Sequence, residues 1–247
     1  MITACVAVRM GSERFPGKTM STLCGSPMLG HLLSRIERAK KLDSIIVATS
    51  VGAEDDEIEE FCDRNGWRCF RGSSNDVLGR MSSALRECGA EIGVVVYGDN
   101  PLIDPVIIDE MIARFISDGN CDWVGNNLTT TFPAGMEVEV FRTQCLLAAA
   151  AQAEKQEYRE HGTLFLRKHP EKYKLLNVQA EGARRRPDLC VGIDTREDAS
   201  LVEAVIRNFS DTPTFCLEDI VQFLDSHPEL IEKTRNIHRR WRQFRDE

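Results

Sequence analysis

The chain lacks several things that would each have assigned it a class. It carries nine cysteines (Cys5, Cys24, Cys62, Cys69, Cys88, Cys121, Cys145, Cys190 and Cys216) but no Cys-x-x-Cys pair. An odd, scattered set without metal spacing points to reduced, mostly buried thiols in a reducing compartment. No run approaches the roughly 20 apolar residues of a membrane span. The first apolar run, residues 2–8 (ITACVAV), is too short for a signal peptide and lacks its charged flank. The expectation is a soluble, cytoplasmic protein with no membrane partner. A basic stripe is missing too: net charge is −8, which argues against a nucleic-acid partner. The one basic cluster, HRRWRQFRDE at residues 238–247, reads as a solvated helix end. There is no internal repeat, and the only low-complexity run, Ala148 to Ala151, sits inside a helical pattern.

What is there is an alternation. At 247 residues and 42% apolar content the chain suits one large domain with a packed core. Short β-rich runs at residues 2–8, 44–50 (SIIVATS), 67–72 (WRCFRG) and 92–98 (IGVVVYG) are each followed by a helical pattern, at 28–42, 53–65, 76–88 and 105–119. Glu54, Asp55, Asp56 and Glu57 open the second helix, where acids suit the positive end of the dipole. Asp76 stands near the cap of the third, and Gly119 closes the fourth. Four strand-then-helix units in a row predict an α/β fold with a parallel sheet. Beyond residue 121 the pattern loosens. Strands are expected at 121–126, 136–141, 174–178 and 189–193, and helices at 143–156, 196–208 and 218–224, giving a smaller, irregular second half.

Ligands of open parallel sheets collect at the carboxyl ends of the strands. After the first strand comes RMGSERFPGKT, which resembles a P-loop only superficially. Five residues rather than four separate Gly11 from Gly17, Pro16 removes a backbone donor, and Gly25 and Pro27 delay the helix until about Met28. Arg9, Arg14 and Lys18, with Ser12 between them, suit a polyphosphate, and Gly11 and Gly17 permit tight turns. The other reading is an ordinary charged loop. After the fourth strand comes YGDNPLID, where Gly98 permits a sharp turn. Asp99 could hold Mg²⁺ or cap the helix that begins near Asp104; the sequence pattern leaves both open.

At these residues the chain resembles the CMP-sugar synthetases, the cytidylyltransferases that activate 3-deoxy-manno-octulosonate and N-acylneuraminate. It is most similar to their spore coat polysaccharide biosynthesis protein F branch. AVRMGSERFPGKTM is similar to the family's signature loop, and SIIVATSVGAEDDEI, FRGSSNDVLGR, YGDNPLIDP, FPAGMEVEVF, YREHGT and GIDTREDASLV each match a family block, in order. The resemblance implies a Rossmann-like nucleotide-diphospho-sugar transferase fold with a mostly parallel central sheet flanked by helices. It implies one domain over residues 1–247, with a nucleotide half (1–120) and an acceptor and dimerisation half with C-terminal helices (121–247), in a homodimer.

The same resemblance assigns roles. Ala7, Arg9, Gly11, Ser12, Arg14, Lys18 and Arg80 fall on nucleotide-contacting positions, with Ala48 and Thr49 near the base. Asp99 and Asp194 match the metal pair, for Mg²⁺. Asn126, Glu137, Glu139, Arg159 and His161 fall on the acceptor side, His161 being equally compatible with a structural place. The implied reaction is attack by a small anionic acceptor, a sugar acid or a phosphonate, on the α-phosphorus of CTP, with pyrophosphate leaving. Lys18, Arg9 and Asp99 are the expected catalytic residues. The chain departs from the family at Glu137, usually Asp, at Tyr97 and Asn100, and at Cys190, often Arg, so an unusual acceptor is one reading. No general base stands out, which suits an acceptor oxygen that is already ionised. A non-catalytic nucleotide-binding subunit of the same fold, and a P-loop ATPase or kinase, are the alternatives.

Overall fold

The computed structural model describes residues 1–239. Its strands are β1 (Ile2–Ala7), β2 (Thr22–Leu23), β3 (Ser26–Pro27), β4 (Ser44–Ser50), β5 (Arg68–Gly72), β6 (Ile92–Val96), β7 (Trp123–Gly125), β8 (Val138–Arg142) and β9 (Leu175–Asn177). All but β2 and β3 form one seven-stranded sheet in the order β5-β4-β1-β6-β8-β7-β9. β1 lies between β4 and β6 and runs parallel to both, with Cys5 opposite Ile46 on one side and Val95 on the other. Its interior residues are fully buried, as apolar runs covered on both faces require. β8 alone runs against its neighbours β6 and β7, so the mostly parallel α/β architecture expected from the sequence is present.

Ten α-helices cover the sheet among the described residues. They are α1 (Met28–Ile36), α2 (Asp56–Asn65), α3 (Val77–Glu87), α4 (Pro105–Asp118), α5 (Thr143–Gln152), α6 (Gln156–Glu160), α7 (Leu164–Arg167), α8 (Arg196–Asn208), α9 (Leu217–Asp225) and α10 (Pro228–Arg235). One apolar layer joins Leu32 and Ile36 of α1, Ile108 and Ile112 of α4, and Val202 of α8 to Val6 and Val94. On the opposite face Leu78 and Leu85 of α3, Leu146 of α5 and Phe165 of α7 pack on Cys5, Ile46 and Trp123. Alternate strand residues feed alternate layers, as a pleated strand must.

Several sequence expectations change. The first helix stops at Ile36 rather than at 42, because the Asp109 carboxylate takes the backbone amides of Lys40 and Lys41 at 3.0 and 2.8 Å. The helix expected over 143–156 ends at Gln152, and Gln156 opens a separate one. Residues 189–193 make a single bridge, Ala134 to Cys190, instead of a strand. The β2–β3 hairpin, α7 and α10 lie outside the sequence expectation: two-residue strands and a four-residue helix leave no periodicity to read, and α10 (PELIEKTR) offers only two adjacent apolar residues. Of the basic cluster at 238–247, residues 240–247 lie outside the described part. Arg239, within it, is buried and not on a solvated helix end.

Candidate active site

One cleft of about 560 Å³ opens at the carboxyl ends of β1 and β6, lined by both candidate loops. The loop after β1 is pinned before it turns. Val8 N donates to Ala48 O at 3.1 Å, and Met10 N to Asp55 Oδ1 at 2.7 Å. Asp55 is fully buried, and its other oxygen accepts from Thr49 Oγ1 and Ser50 N, both at 3.0 Å. It therefore ties the end of β4 to the loop, a role that its place among four acids did not reveal. Burial works to raise the Asp55 pKa, but these donors outweigh it and hold the carboxyl below its ordinary value.

The loop closes on itself through Gly17 N to Met10 O at 3.0 Å. Gly17 has φ +71°, a left-handed conformation that favours glycine, whereas Gly11 needs no such freedom and has open space around it. Lys18 to Met20 then form a single 3₁₀ turn and the β2–β3 hairpin follows, so α1 starts only at Met28. The P-loop reading is excluded by this path.

Lys18 Nζ points at the end of β6. It donates to Ile193 O at 2.6 Å and lies 3.2 Å from Asp99 Oδ2 and 3.5 Å from Asp194 Oδ1. Arg14 Nη2 meets the other oxygen of Asp194 at 3.0 Å. Burial works to lower the Lys18 pKa, yet the two carboxylates prevail and hold it above its ordinary value. Gly98 is required here: a Cβ on it would stand 2.3 Å from Val8 Cγ1 and 2.8 Å from Ala7 O. It lets the chain carry Asp99 close over the end of β1. The capping alternative for Asp99 falls away, because Asp104 caps α4 by accepting from Val106 N at 2.9 Å.

Further along the cleft stand two more cations, Arg9 and Arg80. Their guanidinium groups donate to carbonyls, Arg9 to Ser74 O at 3.2 Å and Arg80 to Ser73 O at 2.7 Å and Ala48 O at 3.3 Å. Burial, and then the like charge of Arg9, lower the Arg80 pKa. Two neighbouring guanidinium groups bonded to carbonyls rather than to carboxylates could receive an anion. Ala7, Gly11 and Ser12 also line the cleft. Ala48 and Thr49 do not line it: both side chains are fully buried, and the Thr49 hydroxyl is spent on Asp55.

The expected acceptor residues divide. Glu137 and His161 line the cleft. Glu137 Oε2 accepts from Asn100 Nδ2 at 3.1 Å and Gly135 N at 2.8 Å, and burial holds the His161 pKa below its ordinary value. The other three have structural partners and lie off the cleft wall. Asn126 brackets the backbone, donating to Met136 O and accepting from Val138 N. Arg159 joins Ala153 O to Asp76. Glu139 is fully buried and accepts from Tyr97 Oη, from Trp123 Nε1 at 2.8 Å and from Asn127 Nδ2 at 2.7 Å. Through Tyr97 and Asn127 it supports the cleft without facing it. Arg167, 3.9 Å from Glu139, Thr163 and Asn127 line the cleft and were missed. A buried Arg inside an apolar LFLR turn gives no sequence signal. Asn127 Oδ1 is buried with no protein partner.

Two acidic groupings could in principle hold a metal. Asp104, Cys216 and Glu218 approach one another, but Asp104 is committed to Val106 N and Leu217 N, and Glu218 to Arg184. Asp99 and Asp194 fit better: both already converge on one positive charge, the Lys18 ammonium, beside a cation-rich cleft. Two carboxylates facing one cleft are a donor set that a hard divalent cation can take.

The likeness to known proteins extends over most of the chain. A family model described as cytidylyltransferase matches residues 3–238. The spore coat polysaccharide biosynthesis protein SpsF of Bacillus subtilis is 30% identical over 230 residues, 91% of this chain and 94% of that protein. The 3-deoxy-manno-octulosonate cytidylyltransferase of Geobacter sulfurreducens is 40% identical over 114 residues, 45% of this chain and 44% of that one. Among solved structures, a cytidylyltransferase from Leptospira borgpetersenii has a TM-score of 0.88 at 29% identity, covering 96% of this chain and 98% of the other. The resemblance carried by the sequence blocks thus holds over nearly the whole chain, which belongs to the cytidylyltransferase family.

Proposed function

We propose that the chain transfers CMP from CTP to a sugar acid and releases pyrophosphate, with a divalent cation on Asp99 and Asp194. The observation that carries this reading is the cleft itself. Arg9, Arg14, Lys18 and Arg80 stand along it, with two carboxylates at one end. A triphosphate supplies the anionic length that such a row of cations matches. A divalent cation bound there would draw charge from the phosphate oxygens it touches and make the phosphorus more electrophilic.

The chain's own residues position and neutralise. Arg9, Arg80 and Lys18 hold the phosphates and stabilise the charge that accumulates on departing pyrophosphate. An acceptor oxygen forms its bond to the α-phosphorus as the bond from that phosphorus to the bridging oxygen breaks. A hydroxyl acceptor must also lose a proton. His161, neutral at pH 7 because burial lowers its pKa, lines the cleft and can take it. Asn127 and Arg167 line the cleft; the one offers an amide to a hydroxyl-bearing substrate and the other a cation to its carboxylate. The name of the Geobacter sulfurreducens relative supports a sugar acid over a phosphonate.

Pyrophosphate release from CTP and Mg²⁺, screened over sugar acids, phosphosugars and phosphonates, tests the reading. Lys18→Ala and Asp99→Asn are expected to lower kcat by about 10²–10³ with little change in melting temperature. Near-normal turnover in both variants would overturn the assignment of these residues.

A further inference from the structure

The C-terminal segment reaches the cation end of the cleft by two routes. Arg239 makes a two-pronged ion pair with Asp198, Nη1 to Oδ2 and Nη2 to Oδ1, both at 2.8 Å. The side chains are 4% and 0% exposed, so each charge depends on the other. Asp198 Oδ2 also accepts from Asp194 N at 3.0 Å, Thr195 N at 2.9 Å and Thr195 Oγ1 at 3.2 Å. One carboxylate oxygen therefore holds both the guanidinium and the backbone amide of Asp194. The second route is Arg14, which donates to His238 O at 3.0 Å while its other nitrogen meets Asp194 Oδ2 at 3.0 Å.

We propose that Arg239 is a positioning residue for Asp194, acting through Asp198: the C-terminal segment clamps the turn that aims this carboxylate into the cleft. The inference rests on the reading of Asp194 as a cation ligand. Its physics is direct. Without the guanidinium, Asp198 keeps only the Asp194 and Thr195 donors, and a buried carboxylate that has lost its ion-pair partner is strongly destabilised where it stands. Its side chain is then free to turn toward solvent, which loosens its grip on the Asp194 amide. Cation sites are sensitive to such outer partners, whose loss typically weakens metal affinity by about 10- to 100-fold.

The test uses the full-length chain and Mn²⁺ alone, followed by the electron paramagnetic resonance signal of free Mn²⁺, with melting temperature and metal-free CTP binding measured alongside. Asp194→Asn is expected to remove the site. Arg239→Gln is expected to weaken Mn²⁺ binding by about tenfold while CTP still binds without metal. Arg239→Lys should fall between, since an ammonium cannot form the planar fork. If Arg239→Gln lowers the melting temperature but leaves Mn²⁺ affinity unchanged, Arg239 is structural and the proposal is overturned. If Arg239→Gln does not fold, Arg239→Lys decides, and wild-type affinity there overturns it equally. Unchanged Mn²⁺ binding by Asp194→Asn would remove the cation reading itself, and the clamp with it.

Discussion

Several single side chains hold their charge where water is scarce. Lys18, between Asp99 and Asp194, is stabilised as an ammonium, so it stays a cation throughout the neutral range. Asp55 and Glu139 are carboxylates kept ionised although fully buried. For each, burial pushes the pKa up and the surrounding donors and, for Glu139, Arg167 bring it below the ordinary value. The sign of the consequence follows. The unfolded chain takes up these protons first, so the stabilisation is complete above the unfolded carboxyl pKa of about 4 and is lost as pH falls through the lower folded values. Urea midpoints should hold from pH 7 to about pH 5 and fall once the pH drops below about 4. Asp55→Asn should be less stable at pH 7 and lose less on acidification; an acid loss as steep as that of the wild type would contradict this. Lys18, Arg9 and Asp99 were legible because they stand in a distinctive local pattern. Asp55 was not, because nothing in EDDE distinguishes the one acid that turns inward.

Among the elements, strand ends and helix starts place the chemistry. Asp76 caps α3 by accepting from Gly79 N at 2.8 Å, and so fixes the first turn that presents Arg80. Thr195 and Asp198 form a reciprocal capping box at the start of α8, beside Asp194. The turn after β6 leaves no space for a side chain, since Gly98 sits against β1. Gly98→Ala should cost about 1–3 kcal/mol of stability and displace Asp99, lowering turnover further than stability alone explains. Gly11→Ala, on the same cleft but with open space, should leave the melting temperature unchanged. Calorimetry of the two variants checks both statements; equal effects would refute the distinction. The buried strands were readable from their apolar runs. Helix ends were not, because α1 is stopped by a carboxylate from α4 that is 68 and 69 residues away in sequence.

Across the whole molecule, one sheet draws residues from both halves of the chain to one cleft, from Ala7 to Asp194. That is why the lining of the cleft was only partly legible. Residues such as Glu139 and Arg159 lie in the right blocks, yet only the fold decides which side chain of a block faces the cleft and which supports it. Arg239 shows the same limit: it reads as part of a solvated basic run until Asp198, 41 residues earlier, is found beside it. Nucleotidyl transfer from CTP in this cleft is checked by phosphorus NMR of the chain with CTP, Mg²⁺ and a sugar acid. The expected result is loss of the CTP signals with matched growth of pyrophosphate and of one new phosphodiester resonance, only when acceptor and Mg²⁺ are both present. Release of orthophosphate and CDP without an acceptor, or an unchanged spectrum from CTP that is demonstrably bound, would contradict it.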